Sequence, residues 1–157
     1  MIVSTIESVV NGLNEPVKFV HGNLYESNLD LDQLGDYETF FVYIPPLENT
    51  DDYDGQGAIY TKFPLQFFMM KKLNLPTNDY KSYVVQPTID AMRELSRQFI
   101  HNLNMEDVVN KSGSPDGSNQ GITQVRYLSE YAWQDYHLFG VSGQCDVPIY
   151  EAKTGCI

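Results

Sequence analysis

The stretch "IYTKFPLQFFMM" (Ile59–Met70) decides how this chain folds. Ile59, Thr61, Phe63, Leu65, Phe67 and Met69 occupy one parity, and Tyr60, Lys62, Pro64, Gln66, Phe68 and Met70 occupy the other. Successive side chains of a strand point to opposite faces, so this period of two predicts a long β-strand. Pro64 cannot donate to a ladder, which predicts an edge position or a bulge there. Apolar and aromatic groups appear on both parities, whereas a sheet covered by helices on one face should leave its other face polar. Two readings fit: the far end of the strand sinks into the core from both sides, or the second face meets neighbouring copies, which makes Tyr60, Phe68, Met69 and Met70 candidate subunit-interface residues with aromatic and Met side chains as anchors.

Working outward, residues 2–13 place Ile2, Ile6, Val9, Val10 and Leu13 on one helical face, and "NGLNEP" with Pro16 ends that helix. The period then changes. "VKFVHGNLY" (17–25) and "YETFFVYI" (37–44) are rich in aromatic and β-branched residues and read as strands. The acidic "ENTDDYDGQG" (48–57) has two glycines and no period, and reads as an exposed loop carrying Asp51, Asp52 and Asp54. Helical spacing returns at 87–103 through Ile89, Met92, Leu95, Phe99, Ile100 and Leu103. Ser82 or Thr88 could cap that helix, and Pro87 is comfortable only in its first turn. "NKSGSPDGSNQG" (110–121) is a connection of turn formers, and "ITQVRYLSEYAW" (122–133) and the closing stretch supply two more strands. The order α-β-β-β-α-β-β, with short links between strands, implies an α+β class. The expected molecule is a single domain over residues 1–150, a mostly antiparallel sheet of about five strands with two helices on one face, followed by a tail at 151–157.

A chain of 157 residues that is 42% hydrophobic and 13% aromatic can bury one ordinary core. Its formal net charge of −11 argues against wrapping a phosphate backbone, which needs a basic face, and favours a surface that DNA passes without sticking. "MIVSTIESVVNGLNEP" lacks the basic start and long apolar run of a secretion signal, and no run approaches the ~20 apolar residues of a membrane span, so a soluble protein made and kept in a cytoplasm is expected. Cys145 and Cys156 are then expected to be reduced.

The chemical motifs are weak. "GQGAIY" from Gly55 lacks the third glycine of a dinucleotide loop and leads into a strand. "TDDYDG" (50–55) resembles half a calcium loop, yet aligning on Gly55 puts Thr50 first and Thr61 twelfth, without the required acids. His21, His101 and His137 have no zinc-type spacing. "GVSG" (140–143) falls one residue short of a nucleophile elbow around Ser142. Cys145 and His137, eight positions apart in one extended strand, would lie roughly 26 Å apart at about 3.3 Å per residue. The polar residues of "YHLFGVSGQCDVPIYEAKTGCI" (136–157) instead mark the outer side of a strand. Phe139, Val141, Cys145, Val147 and Ile149 share the inward parity, with a bend or bulge expected at Gly140 and Gly143 and a free tail after Tyr150. No catalytic residue, metal or cofactor is expected.

The N-terminal helix, three strands, the helix "TIDAMRELSRQFIHNL" (88–103) and the strand pair containing "YHLFGVSGQCDVPI" (136–149) resemble the tail-terminator and neck proteins of tailed bacteriophages over residues 2–150. "HLFGV", followed by an alternating strand and a terminal Cys, is particularly similar to such proteins from phages of Bacteroides-type hosts, including the crAss-like group. The resemblance implies a structural virion protein assembled in the host cytoplasm. It would form a ring of its own copies, commonly a hexamer or dodecamer, between portal or connector proteins and tail proteins. Such a ring is built by heterologous contacts that close. Asp51, Asp52 and Asp54 are then candidate lumen-facing residues, lining a channel through which DNA passes without specific binding. Two alternatives stand beside it: a non-catalytic binding module using an exposed sheet face, and an enzyme whose acidic loop and Cys145 carry the chemistry.

Overall fold

The computed structural model describes residues 2–21, 35, 38–46, 50–53, 58–73, 82–109, 121–133 and 138–152. In chain order they form α1 (Ile2–Asn11), β1 (Val17–His21), β2 (Thr39–Ile44), β3 (Thr50–Tyr53), β4 (Ala58–Lys72), α2 (Ser82–Asn104), β5 (Val125–Trp133) and β6 (Leu138–Ala152). This is the α+β class that the sequence implies, with both helices packed on one face of a single mixed sheet. The strand order is β1-β2-β4-β6-β5, and β3 pairs with β4 off that path.

The alternation at 59–70 becomes the centre of the sheet. β4 and β6 are both 15 residues long and pair antiparallel without a shift from Ala58 opposite Ala152 to Lys72 opposite Leu138. The other edge of β4 is shared: β2 pairs with Gln66–Lys71 and β3 with Ile59–Lys62. On the outer edge of β6, β5 pairs only as far as Cys145. The sheet is thus five strands wide around Phe67–Met70 and tapers to the three-stranded ribbon β3-β4-β6 around Ile59–Lys62.

Several expectations are corrected. β1 and β2 are parallel rather than antiparallel, because residues 22–38 form a link long enough for the crossover that a parallel pair requires. Residues 50–53 of the expected acidic loop are a strand, β3. Asp is a poor strand former, but β4 is the one described neighbour of β3, and charge on an edge strand discourages unwanted pairing. Pro64 sits on a central strand with no shift in the β4–β6 register. It falls in the gap where β2 has ended and β3 has not begun, so that side of the strand is locally an edge. α2 starts at Ser82, so Pro87 lies beyond the first turn and removes the donor for the carbonyl four residues earlier. β6 runs through Glu151 and Ala152, which takes the first two residues of the expected tail into the sheet. The irregularity expected in β6 at Gly140 lies instead in its partner: β5 carries an extra residue between Glu130, opposite Gly140, and Trp133, opposite Leu138.

Ile6, Val9 and Val10 of α1, with Leu13 after it, and Val85, Ile89, Met92, Leu95, Phe99 and Leu103 of α2 bury the apolar faces read from their spacing. They meet Phe41, Tyr43, Phe63, Leu65, Phe67, Met69, Phe139, Val141, Cys145, Val147 and Ile149, the odd-numbered residues of β2, β4 and β6. At the centre, Phe41 stacks on Phe67 with ring centroids 5.0 Å apart, and Phe99 of α2 tilts against both at 4.7 and 5.3 Å. Asn104, the last residue of α2, fixes the lead into β5: its Oδ1 accepts from the Ile122 N–H at 2.7 Å and its Nδ2 donates to the Ile122 carbonyl at 3.1 Å. Gly121, just before, adopts φ +57°, where a Cβ would stand 2.5 Å from Asn104 Oδ1.

The opposite face of the sheet holds a second apolar cluster at its wide end: Val20, Phe40, Val42, Phe68, Met70 and Leu138, all buried within the chain. At its wide end β4 is therefore apolar on both parities because Phe68 and Met70 are interior on the helix-free face as Phe67 and Met69 are on the other, whereas Lys62 and Pro64 further along are exposed.

Phe67 pairs with Gly143, and a Cβ on Gly143 would lie 2.4 Å from the Phe67 ring, so glycine is required for the ring to lie across β6. Gly143→Ala is expected to destabilise the protein by about 1–3 kcal/mol, the usual cost of overpacking. In a Phe67→Leu background the same substitution should cost less, giving a coupling measurable by chemical denaturation of the four species. Equal costs in the two backgrounds would show that ring and glycine do not constrain each other.

Candidate functional site

The four candidate interface residues do not form an exposed face. Phe68 and Met70 belong to the second apolar cluster and Met69 to the helix-side core, with exposures of 8%, 0% and 0%. Tyr60 is separated from them, opposite Asp52 on one side and Tyr150 on the other, at the narrow end of the sheet. The physical reason is that a strand buried on both faces has the same two-sided pattern as a strand that offers one face to a partner. Asp51 and Asp52 stand side by side on β3, opposite Thr61 and Tyr60, and Asp54 lies outside the described residues. The acidic segment is thus carried partly on a strand at the tapered end.

Cys145 is on the inward face of β6, as its parity implies, and is a free thiol packed in the core. Burial, reinforced by the Asp146 carboxylate next to it, pushes the thiol from its ordinary 9.0 up to about 12. A reactive cysteine needs the opposite shift. Tyr127 lies near it, its phenol raised mainly by burial, with Cys145 adding to the shift and Arg97 and Arg93 opposing it. Arg93 reaches from α2 to β5, donating from Nη2 to Ser129 Oγ at 3.4 Å. Ser142 is buried on the other face and donates from Oγ to Glu130 Oε1 at 3.0 Å. Its hydroxyl proton is committed to a carboxylate in a strand-to-strand contact, and His137 lies outside the described residues.

His21 extends the aromatic row of β1 and β2, stacked on Tyr43 with centroids 5.2 Å apart, and His101 is exposed near the end of α2. Among the described residues no three His, Cys, Asp or Glu side chains gather as a metal site would require. An open depression of about 630 Å³ lies where α1 meets the ends of β1, β2 and β4, and it sets Lys18 and Lys71 against Glu15 and Glu38. No helix among the described residues is long and apolar enough to cross a membrane.

One feature escaped the sequence reading. β5 pairs with β6 alone among the described strands, and no described residue pairs with its outer edge. Leu128, in the middle of it, is 54% exposed, flanked on the same parity by Arg126 and Glu130. The alternation of "VRYLSE" held the signal, since Leu128 shares the parity of two charged residues while Val125 and Tyr127 take the core side.

No protein-family model matches the chain, and no curated protein matches it.

In a Cys156→Ser background, Cys145 should react with a thiol reagent at neutral pH only through unfolding, so that its labelling rate follows denaturant-dependent opening. Rapid labelling of the native protein would contradict its burial. The pH dependence has a definite sign. The folded thiol titrates near 12 and the unfolded one near 9.0, so the unfolded state loses its proton first as the pH rises. Stability contributed by the protonated thiol is complete below 9 and declines through about 12, by at most ~1.4 kcal/mol per pH unit. Cys145→Ala should remove the part of this decline that begins below the tyrosine range.

Proposed function

We propose that this protein is a non-enzymatic structural virion protein that forms or joins an oligomeric ring at the head–tail junction of a tailed phage, in the manner of a neck or tail-terminator protein. The observation that carries the reading is the taper of the sheet. Its two long central strands run past their neighbours and end in a three-stranded ribbon bearing Asp51 and Asp52, in a chain of net charge −11. A ring that points such ends inward presents like charge to DNA, which passes without being held. The wide end, filled on both faces, supplies a rigid body for subunits to pack side by side. Partners on this reading are other copies of the chain, a portal or connector ring, and tail proteins.

The binding-module alternative requires an apolar sheet face open to a partner. The apolar cluster on the helix-free face is already buried within the chain, and Leu128 is the one large apolar side chain of that face's described residues left exposed, which favours the ring. Buried, high-pKa Cys145 and carboxylate-bound Ser142 likewise favour a packing role over catalysis.

Electron microscopy of the protein alone and co-expressed with portal and tail proteins encoded beside it should show closed rings, alone or stacked on a partner ring. The Asp51→Asn/Asp52→Asn variant should assemble normally and retain DNA in the channel more strongly at low salt. Absence of any ring under both conditions, or rings with β3 on the outer wall, would overturn the proposal.

A further inference from the structure

We propose that two copies of this chain pair through the outer edge of β5, which no described strand covers, antiparallel and two-fold symmetric about Leu128. Four observations carry the inference.

The first is that the edge is unprotected. An unpaired strand edge is a template for another strand, and proteins usually blunt it with proline, net charge or cover. β3 carries Asp51 and Asp52, β1 carries Lys18 and His21, and the outer stretch of β6 beyond Cys145 carries Asp146 and Pro148. Between Val125 and Glu130, β5 has no proline, and its one positive and one negative charge cancel.

The second is the exposed leucine. Apart from Met105, which follows α2, Leu128 is the large hydrophobic residue left most open among the described residues, and it lies on a strand rather than in a turn. The third is the spacing around it. Arg126 and Glu130 stand two positions to either side on the same face. Pairing two copies with Leu128 opposite Leu128 therefore sets each Arg126 opposite Glu130 of the other copy, twice over. Directly opposed residues of an antiparallel pair have Cβ atoms about 4.5–5.5 Å apart, close enough for both charge pairs and the leucine contact to form. The same register sets Tyr127 opposite Ser129 on the helix side. Sliding the copies by two residues would lose the leucine contact and both of these charge matches.

The fourth is the irregularity in β5 between Glu130 and Trp133, which bends the strand and limits regular pairing to Val125–Glu130. The contact is isologous and closes at two copies, so it does not propagate into a fibre. Centred on Leu128, the regular pairing spans the five residues Arg126–Glu130 of each copy and buries less than the ~1,200–2,000 Å² of a standard stable interface, so the pair is a weak one that forms as concentration rises. It is independent of the ring reading, and its test needs no partner ring. In a larger assembly it would join two rings back to back.

Sedimentation velocity over a wide concentration series should show the full chain passing from monomer to dimer. Leu128→Lys should leave it monomeric throughout. Arg126→Glu opposes glutamates at both symmetric positions, and Glu130→Arg opposes arginines; each should weaken dimerisation roughly tenfold or more, since like charges directly opposed are unfavourable. The double variant Arg126→Glu/Glu130→Arg restores both oppositions with exchanged signs and should recover the dimer. Thermal melts of each variant check that the monomer is intact. A wild-type chain that stays monomeric would overturn the proposal. So would a dimer indifferent to Leu128→Lys, or folded single-charge variants whose defects the double variant does not repair.

Discussion

One contact organises this molecule: the Phe67 ring lying across Gly143. Phe67 is central in β4, and its ring is stacked on Phe41 of β2, met edge-on by Phe99 of α2 and spread over the bare backbone of β6. Four elements distant in sequence converge on that one side chain. A residue with a Cβ at position 143 would lift the ring, and with it the seat for α2. Gly140, three residues earlier, serves a related need: a Cβ there would lie 2.1 Å from the Met69 carbonyl oxygen, so the β4 and β6 backbones approach only because it has none. The two glycines of β6 let the two longest strands of the sheet lie close together while aromatic rings fill the helix side.

That constraint explains what could and could not be read from the sequence. Both helices were legible because each buries one stripe, and a period near 3.6 is visible without tertiary information. The strands at 59–70 and 138–150 were legible through their alternation, down to Cys145 facing inward. What the spacing left undecided was which neighbour a strand meets. Phe68 and Met70 look like an exposed adhesive face from their spacing, yet the same spacing results when the chain covers both sides of its own strand. Pro64 signalled an edge correctly in a local sense, but only the division of that side of β4 between β2 and β3 shows where the edge is. The acidic 50–53 segment became a strand against its composition because β4 extends far enough past β2 to template it.

The candidate site divides in the same way. Absence of a nucleophile elbow, zinc spacing or calcium loop was evident from residue types and intervals, which are one-dimensional properties. The commitment of the Ser142 hydroxyl to Glu130 and the burial of the Cys145 thiol beside Asp146 were not, since each joins residues through strand pairing. The exposed Leu128 was also missed, because one leucine between an arginine and a glutamate is unremarkable until β5 proves to be the outermost strand.

The free edges then differ in a way that bears on assembly. Hydrogen-bonded and non-bonded pairs alternate along an antiparallel ladder, so residues two pairs apart fall in the same class. Pro64, opposite Asp146, and Pro148, opposite Lys62, are separated by that interval. The Lys72 N–H donates to the Glu38 carbonyl on the β2 side, so the even-numbered residues of β4 turn their N–H away from β6 and both pairs are non-bonded; the β4–β6 ladder loses no donor to either proline, and both ring nitrogens point outward. Pro64 spends its missing donor in the gap between β2 and β3, and Pro148 spends its own on the stretch of β6 beyond β5 that no described strand covers. A second strand adding there would find a donor missing at its centre. The tapered end is therefore closed to strand addition on the β6 side by proline and discouraged on the β3 side by charge, while β5 at the wide end has neither device. Such a distribution keeps the acidic ribbon free and directs strand-to-strand contact to the opposite end of the sheet.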